Sequence, residues 1–134
     1  MHEWALAEGV ISTALEVAER EGLNEITAIK IKMGELQQID LEIFELALRE
    51  IRQSQMPIVA NAKTEMEKEA AVLKCRVCGR EWAFGDALLA EEERESIHFL
   101  PEIAHTYITC PECKSPDFQF MKGRGVWIDS IVGR

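Results

Sequence analysis

Two Cys-x-x-Cys pairs, Cys75/Cys78 and Cys110/Cys113, constrain this 134-residue chain more than any other feature. Its start is unlike a secretory leader, because His2, Glu3 and Glu8 stand where a basic and then an apolar stretch would be. No apolar run approaches the ~20 residues of a membrane helix. The expected location is cytoplasmic, with no membrane partner, and in such a reducing compartment paired cysteines read as metal ligands rather than disulfides. A two-residue gap lets both thiolates of a knuckle face one ion while nearby backbone N–H groups hydrogen-bond the sulfurs. Two such knuckles make a closed tetrahedral site of four sulfurs. A closed site has no position for a substrate water, so a structural role is expected. The expected metal is Zn2+, which can contribute ~10–16 kcal/mol to the folding of small peptides. Iron stays open as the alternative, because the Cys110-Pro111-Glu112-Cys113 knuckle is also of the rubredoxin-like type. The aromatic cage of such carriers is not evident. Neither pair opens a helix in a βαβ setting, which argues against a thioredoxin-type motif.

Ahead of the cysteines, Leu6, Val10, Ala14 and Val17 recur at helical spacing with Ala7, Ile11, Leu15 and Ala18 beside them, and Gly22 is the expected stop. Ile29, Ile31 and Met33 alternate with Lys30 and Lys32, as in a half-buried strand. Asp40 is expected to cap a second helix with the stripe Ile43/Phe44, Ala47/Leu48 and Ile51, and Pro57 lies beyond its end. Lys63 to Glu69 alternates again. Helix, strand, helix, strand over residues 1–70 make a compact α/β unit. From Ala71 onward the character changes. Short strands are expected beside each cysteine pair, with Trp82 and Phe84 after the first and Tyr107 and Ile108 before the second. The spacer 79–109 exceeds the usual zinc-ribbon gap and should loop out. Its run Glu91 to Glu95 reads as a solvated connector or helix face. Residues 118–131 are β-rich, turn at Gly123-Arg124-Gly125, and are expected to return to the first unit and complete its sheet.

Twenty-four acidic against 15 basic residues give a net charge of −9. Such a chain repels the nucleic-acid backbone unless it segregates a basic patch, and Lys122-Gly123-Arg124 is too small to be one. No nucleic-acid partner is expected.

A histidine at position two changes what an amino terminus can do. The α-amine of Met1, the deprotonated amide of His2 and the His2 Nδ1 form adjoining chelate rings in one plane. A fourth corner is left for the Glu3 amide, another side chain or water. Square-planar nitrogen coordination suits Ni(II) and Cu(II) and is poor for zinc. A histidine at position three would fill the plane from the local chain alone. At position two it leaves a gap suited to release. A helix starting close to the amine would disfavour its ammonium form and improve it as a ligand. The bulk of His2 is expected to keep Met1 in place.

Met1-His2-Glu3-Trp4-Ala5-Leu6-Ala7, Met33-Gly34-Glu35-Leu36, the two cysteine pairs and Lys122-Gly123-Arg124-Gly125-Val126 resemble, in order and over essentially the whole chain, the HypA/HybF family of hydrogenase-maturation nickel chaperones. The resemblance implies an α+β fold: a small two-helix, mixed-sheet nickel-binding domain (1–70 plus 118–134) with an inserted zinc-ribbon-like domain (71–117). It implies a metallochaperone, not an enzyme, that delivers Ni2+ as transferable cargo during maturation of [NiFe]-hydrogenase. The implied partners are a HypB-type GTPase and the hydrogenase large-subunit precursor, with urease as a further client of some members, and the chain itself a monomer or weak homo-oligomer. Nickel maps onto Met1, His2 and Glu3, and structural zinc onto Cys75, Cys78, Cys110 and Cys113. In members with a long inter-knuckle segment, a histidine before Phe-x-Pro-Glu reaches the nickel site; here that is His98. Lys114 stands where the family's second knuckle commonly has glycine, so a tighter or shifted turn is expected.

Other residues have simpler expected roles. His105 is placed on a strand into the second knuckle with a structural role, Glu35 supports a strand end, and Trp4 belongs to the core or staples the first helix. An iron-loaded electron carrier would be red, whereas zinc leaves the protein colourless. A nucleic-acid-binding ribbon would bind in a salt-sensitive way, which the charge opposes. For an enzyme the sequence offers no nucleophile–base pairing, phosphate loop or carboxylate dyad.

Overall fold

A computed structural model describes residues 2–37, 39–54 and 57–134. The chain runs α1 (Glu3–Glu21), β1 (Ile26–Gly34), α2 (Leu41–Ser54), α3 (Pro57–Ala60), β2 (Lys63–Glu69) and β3 (Val72–Cys75). It continues through β4 (Glu81–Ala83), α4 (Glu91–Phe99), α5 (Ala104–Tyr107), β5 (Phe118–Lys122) and β6 (Val126–Gly133). Two compact units result. One comprises Met1–Lys32, Ile39–Glu67 and Val126–Arg134, the other Met33–Gln38 and Lys68–Gly125. The boundary expected at residue 118 lies inside the second unit in this division, because β5 pairs with β3 there.

In the first unit, Gly22 ends α1 in the left-handed conformation (φ 71°), a cap that costs glycine no Cβ clash. The Asp40 carboxylate accepts from the N–H groups of Glu42 and Ile43, which satisfies donors at the start of α2. The sheet order is β2-β1-β6, so the tail does return to complete this sheet with β6. Its far end is fastened by Glu25 and Arg134, whose backbones exchange hydrogen bonds in both directions at 2.9 Å. Ala7, Val10, Ile11, Ala14 and Ala18 of α1 are buried, as are Ile26, Ile29 and Ile31 of β1 and Phe44, Ala47 and Leu48 of α2. Apolar residues at period 3.6 on the helices and period 2 on the strand thus meet in one core. Trp4 is not in it: the side chain is 47% exposed.

The second unit holds the antiparallel sheet β4-β3-β5, with Leu73 opposite Trp82 on one side and Phe120 on the other. Leu36, Ala71, Leu73, Phe84, Ile97, Ala104, Ile108 and Phe118 form its own apolar core. Two expected strands are corrected here. Phe84 opens a short 3-10 turn, and Tyr107 ends α5, so His105 sits on a helix before the second knuckle. The buried Phe84, Ala104 and Ile108 explain this, because a short helix packs them into the core without needing a partner strand.

Two of the motifs that carry the family resemblance meet in this unit. Leu36 N–H donates to the Gly123 carbonyl (2.9 Å) and Glu35 N–H to the Glu69 carbonyl (2.8 Å). Glu35 Oε1 accepts from Ala71 N–H at 2.8 Å, and Glu69 Oε1 from Gly123 N–H at 3.1 Å. Glu35 therefore does support a strand end. Gly123 has φ 95°, and any Cβ there would overlap the backbone of Ala71. Gly123→Ala should lower the unfolding free energy by about 3 kcal/mol or more, seen as an earlier denaturant midpoint. An unchanged midpoint would mean that the contact yields.

Candidate metal centres

Each cysteine pair closes a turn of the same construction. In the first, Val77 and Cys78 donate N–H groups to Cys75 Sγ, Gly79 N–H donates to the Cys75 carbonyl, and Cys75 N–H to the Arg80 carbonyl. In the second, Glu112 and Cys113 donate to Cys110 Sγ, Lys114 N–H to the Cys110 carbonyl, and Cys110 N–H to the Ser115 carbonyl. The expected shift of the second turn does not occur. Lys114 adopts φ 65°, close to the 71–81° range in which Gly22 and Gly79 sit. A non-glycine residue there is strained by roughly 1–2 kcal/mol. Lys114→Gly should therefore raise stability by about 1 kcal/mol, part of the relief being offset by a more flexible unfolded chain. Calorimetry of the two proteins at equal metal loading checks this, and a fall in the midpoint would contradict it.

The knuckles bring their sulfurs together. Cys75 Sγ lies 3.5 Å from Cys113 Sγ and Cys78 Sγ 3.6 Å from Cys110 Sγ, and all four lie within 4.8 Å of one another. Four sulfurs bonded tetrahedrally to an ion at ~2.3 Å would be separated by ~3.8 Å, so the set fits such an ion. Cys75 and Cys110 are buried, while Cys78 and Cys113 are exposed. Electrostatics follows this division. The N–H groups of Cys78 and Val77 hold the Cys75 thiol below its ordinary value against desolvation. Desolvation opposes the Cys110 thiolate, yet the N–H groups of Cys113 and Glu112 and the neighbouring thiols bring it down to about 6. The Arg80 N–H favours the Cys78 thiolate, but desolvation and the other sulfurs push it up to about 12. Ser115 N–H likewise favours Cys113, which the Cys75 sulfur and desolvation push up. The buried pair therefore ionises more readily than the exposed pair, and a cation bound by all four sulfurs as thiolates displaces the protons they hold.

His105 buttresses this arrangement from outside the ligand set. Its ring stacks on Phe118 at 4.1 Å, and Nδ1 lies 2.7 Å from the Pro116 carbonyl. Phe118 is in turn paired with Cys75 across the sheet. No spacing rule links a histidine to a proline carbonyl eleven residues on, so the sequence carries no signal for this contact.

At the other candidate centre, α1 begins at Glu3 with His2 as its N-cap residue, and the His2 carbonyl accepts the Leu6 N–H at 2.9 Å. His2 is exposed, whereas Glu3 is only 3% exposed. The positive amino terminus holds the Glu3 carboxyl below the usual carboxylate range. Met1, the expected amine ligand, lies outside the described residues. His98 stands in the last turn of α4 in the second unit, with its ring 5.9 Å from that of Phe84.

Among the described residues no helix is long and apolar enough to cross a membrane. Comparison with known proteins extends the picture. Residues 1–133 match the family described as hydrogenase/urease nickel incorporation, metallochaperone, HypA. The hydrogenase maturation factors HypA of Thermococcus onnurineus and Pyrococcus abyssi are each 45% identical over 133 residues, covering 98% of this chain and 94% of theirs. The solution structure of the Ni metallochaperone HypA from Helicobacter pylori is similar in fold, with a TM-score of 0.70 over 99% of this chain and 97% of that one at 19% identity. A second HypA solution structure gives the same TM-score at 18% identity. With the family model spanning nearly every residue and relatives this similar over almost their full length, the chain belongs to the HypA family of hydrogenase-maturation nickel metallochaperones.

Proposed function

We propose that this protein carries Ni2+ to the [NiFe]-hydrogenase large-subunit precursor, holding it at the amino terminus, while Cys75, Cys78, Cys110 and Cys113 hold a structural Zn2+. One observation carries the nickel half: α1 starts at Glu3, immediately after an exposed His2. The positive end of the helix dipole then lies beside the amine and residue-two amide that must lose protons to become ligands. The Met1 amine, the His2 amide and the His2 Nδ1 take three corners of the nickel plane. Glu3 supplies the fourth or supports it, and His98 is a further ligand in the loaded state. The open or labile corner lets a recipient's donors, thiolates by preference, displace the chain's nitrogens one at a time. Nickel is cargo throughout, and no bond is made or broken in a substrate other than metal–ligand bonds. GTP hydrolysis belongs to a HypB-type partner, and the site of action is the cytoplasm. On this reading the first unit is the nickel domain and the second the zinc domain.

Zinc in the cysteine set is supported by the closed, all-sulfur geometry, in which bound zinc supplies cross-linking of the knuckles and no open coordination position. Elemental analysis and absorption spectra of the protein with its native start test both halves. The expected result is one zinc per chain in a colourless protein, and one added nickel with the weak visible band of nitrogen-ligated square-planar Ni(II). Intense sulfur-to-nickel charge transfer, with zinc displaced, would overturn the assignment.

A further inference from the structure

We propose that the outward face of α4 is a docking surface for a basic, amphipathic helical segment of a partner protein. The two faces of α4 differ in kind. Inward, Ile97 is fully buried, the Arg94 guanidinium lies over the Phe84 ring at 5.4 Å, and Arg94 also donates to the Ala87 carbonyl at 2.8 Å. That face anchors the helix in the core of the second unit. Outward, Glu92, Glu95, Ser96, Phe99, Leu100 and Ile103 line a groove of about 430 Å³. Phe99 is 81% exposed and Leu100 50% exposed, while Ile103 is partly buried against the core beneath.

The exposed phenyl is not explained by the fold. A helix already fixed by Ile97 and Arg94 gains nothing from a solvated Phe99, and an apolar side chain beside two others is the usual mark of a covered surface. The acidic end is not explained by helix capping alone. Glu93 makes the cap, accepting the Ala90 N–H at 2.8 Å, and Glu91 and Glu92 lie in the first turn where the dipole favours them. Glu95 lies beyond that turn, one turn along from Glu92 on the groove side.

Charge decides the occupant. The groove carries carboxylates at one end and apolar side chains at the other, Glu92 and Phe99 being two helical turns apart, or ~10 Å. Its complement is a helix with a Lys or Arg pair at one end and apolar anchors about two turns away. Anionic membranes and nucleic acid are repelled by the same carboxylates, and a second copy of this chain, at −9, would bring more acid to an acidic face.

The test uses the full-length zinc-loaded protein and a synthetic amphipathic Leu/Lys helix as probe, with a Leu/Glu peptide of the same pattern as control. Amide chemical shifts should move on residues 88–103, and binding should weaken between 50 and 200 mM salt. Glu92→Lys with Glu95→Lys should weaken binding at least about 10-fold, and Phe99→Ser similarly, a change that an exposed side chain tolerates without loss of fold. Glu16→Lys with Glu19→Lys on α1 makes the same change in net charge and should alter binding less than about twofold. Equal weakening by the α1 pair would overturn the proposal, since the probe would then report net charge alone. Equal binding of the Leu/Glu peptide would overturn it as apolar adhesion. Concentration-dependent shifts on these residues without peptide would give the face to a second copy instead.

Discussion

Two residues added ahead of Met1 should weaken nickel binding by about 100-fold or more, while one added glycine should not, and zinc content should be the same in all three proteins. The asymmetry follows from chelate-ring size. In the proposed coordination with the native start, amine, residue-two amide and His2 Nδ1 are contiguous and leave the fourth corner open or labile. One glycine moves the imidazole to position three, where amine, two amides and Nδ1 fill the plane. Nickel then binds firmly and exchanges slowly. Two residues move the imidazole out of reach of a continuous set, and only a weak lone-imidazole contact remains. Calorimetric titration of the three proteins with Ni2+, with a competing chelator to measure release, reads both effects. The same affinity in all three would show that the terminus is not a ligand.

On the proposed zinc assignment, Cys110→Ser should reduce bound zinc from one per chain to none and remove about 10 kcal/mol of metal-coupled folding free energy. Cys110 is chosen because it is fully buried and its sulfur already accepts two N–H groups, so a hydroxyl there is both a poor zinc ligand and a desolvated polar group. Loss should be local. Amide signals from β3, β4 and β5 should collapse, since Cys75 ends β3 and pairs with Phe118 of β5, and the helical signal of α1 and α2 should persist. Leu36, Ala71 and Ile97 give this unit an apolar core of its own, so a compact but poorly ordered state is expected rather than an extended chain. Retained zinc with unchanged dispersion in Cys110→Ser would contradict the four-sulfur site.

Much of this was legible in the residues. Leu6 to Ala18 at helical spacing with Gly22 after them, and Ile29, Ile31 and Met33 at alternate positions, specify α1 and β1 because burial of one face dominates local choice. The cysteine spacing specifies the knuckles for a geometric reason, since a two-residue gap suffices to turn both sulfurs inward. Tyr107 and Ile108 misled because a short aromatic and β-branched run beside a knuckle has no period long enough to separate strand from helix. Trp4 misled differently. It continues the Ala7/Ile11 stripe at helical spacing, but it stands in the first turn of α1, where the side chain is left 47% exposed. Lys114 shows the limit of residue preference, since the backbone pattern around Cys110 forces a left-handed residue whatever its side chain.

The pairings among Glu35, Leu36, Glu69 and Gly123 bring the two ends of a long excursion side by side. A detour whose mouth is already closed is nearly indifferent to its own length, because lengthening such a loop adds only ~0.6 kcal/mol of entropic cost per doubling. Insertions at the fully exposed Leu88, between Phe84 and α4, should therefore be absorbed locally, leaving the register of β1 and β6 untouched. Recognition features can then diversify there while the rest of the molecule stays unchanged.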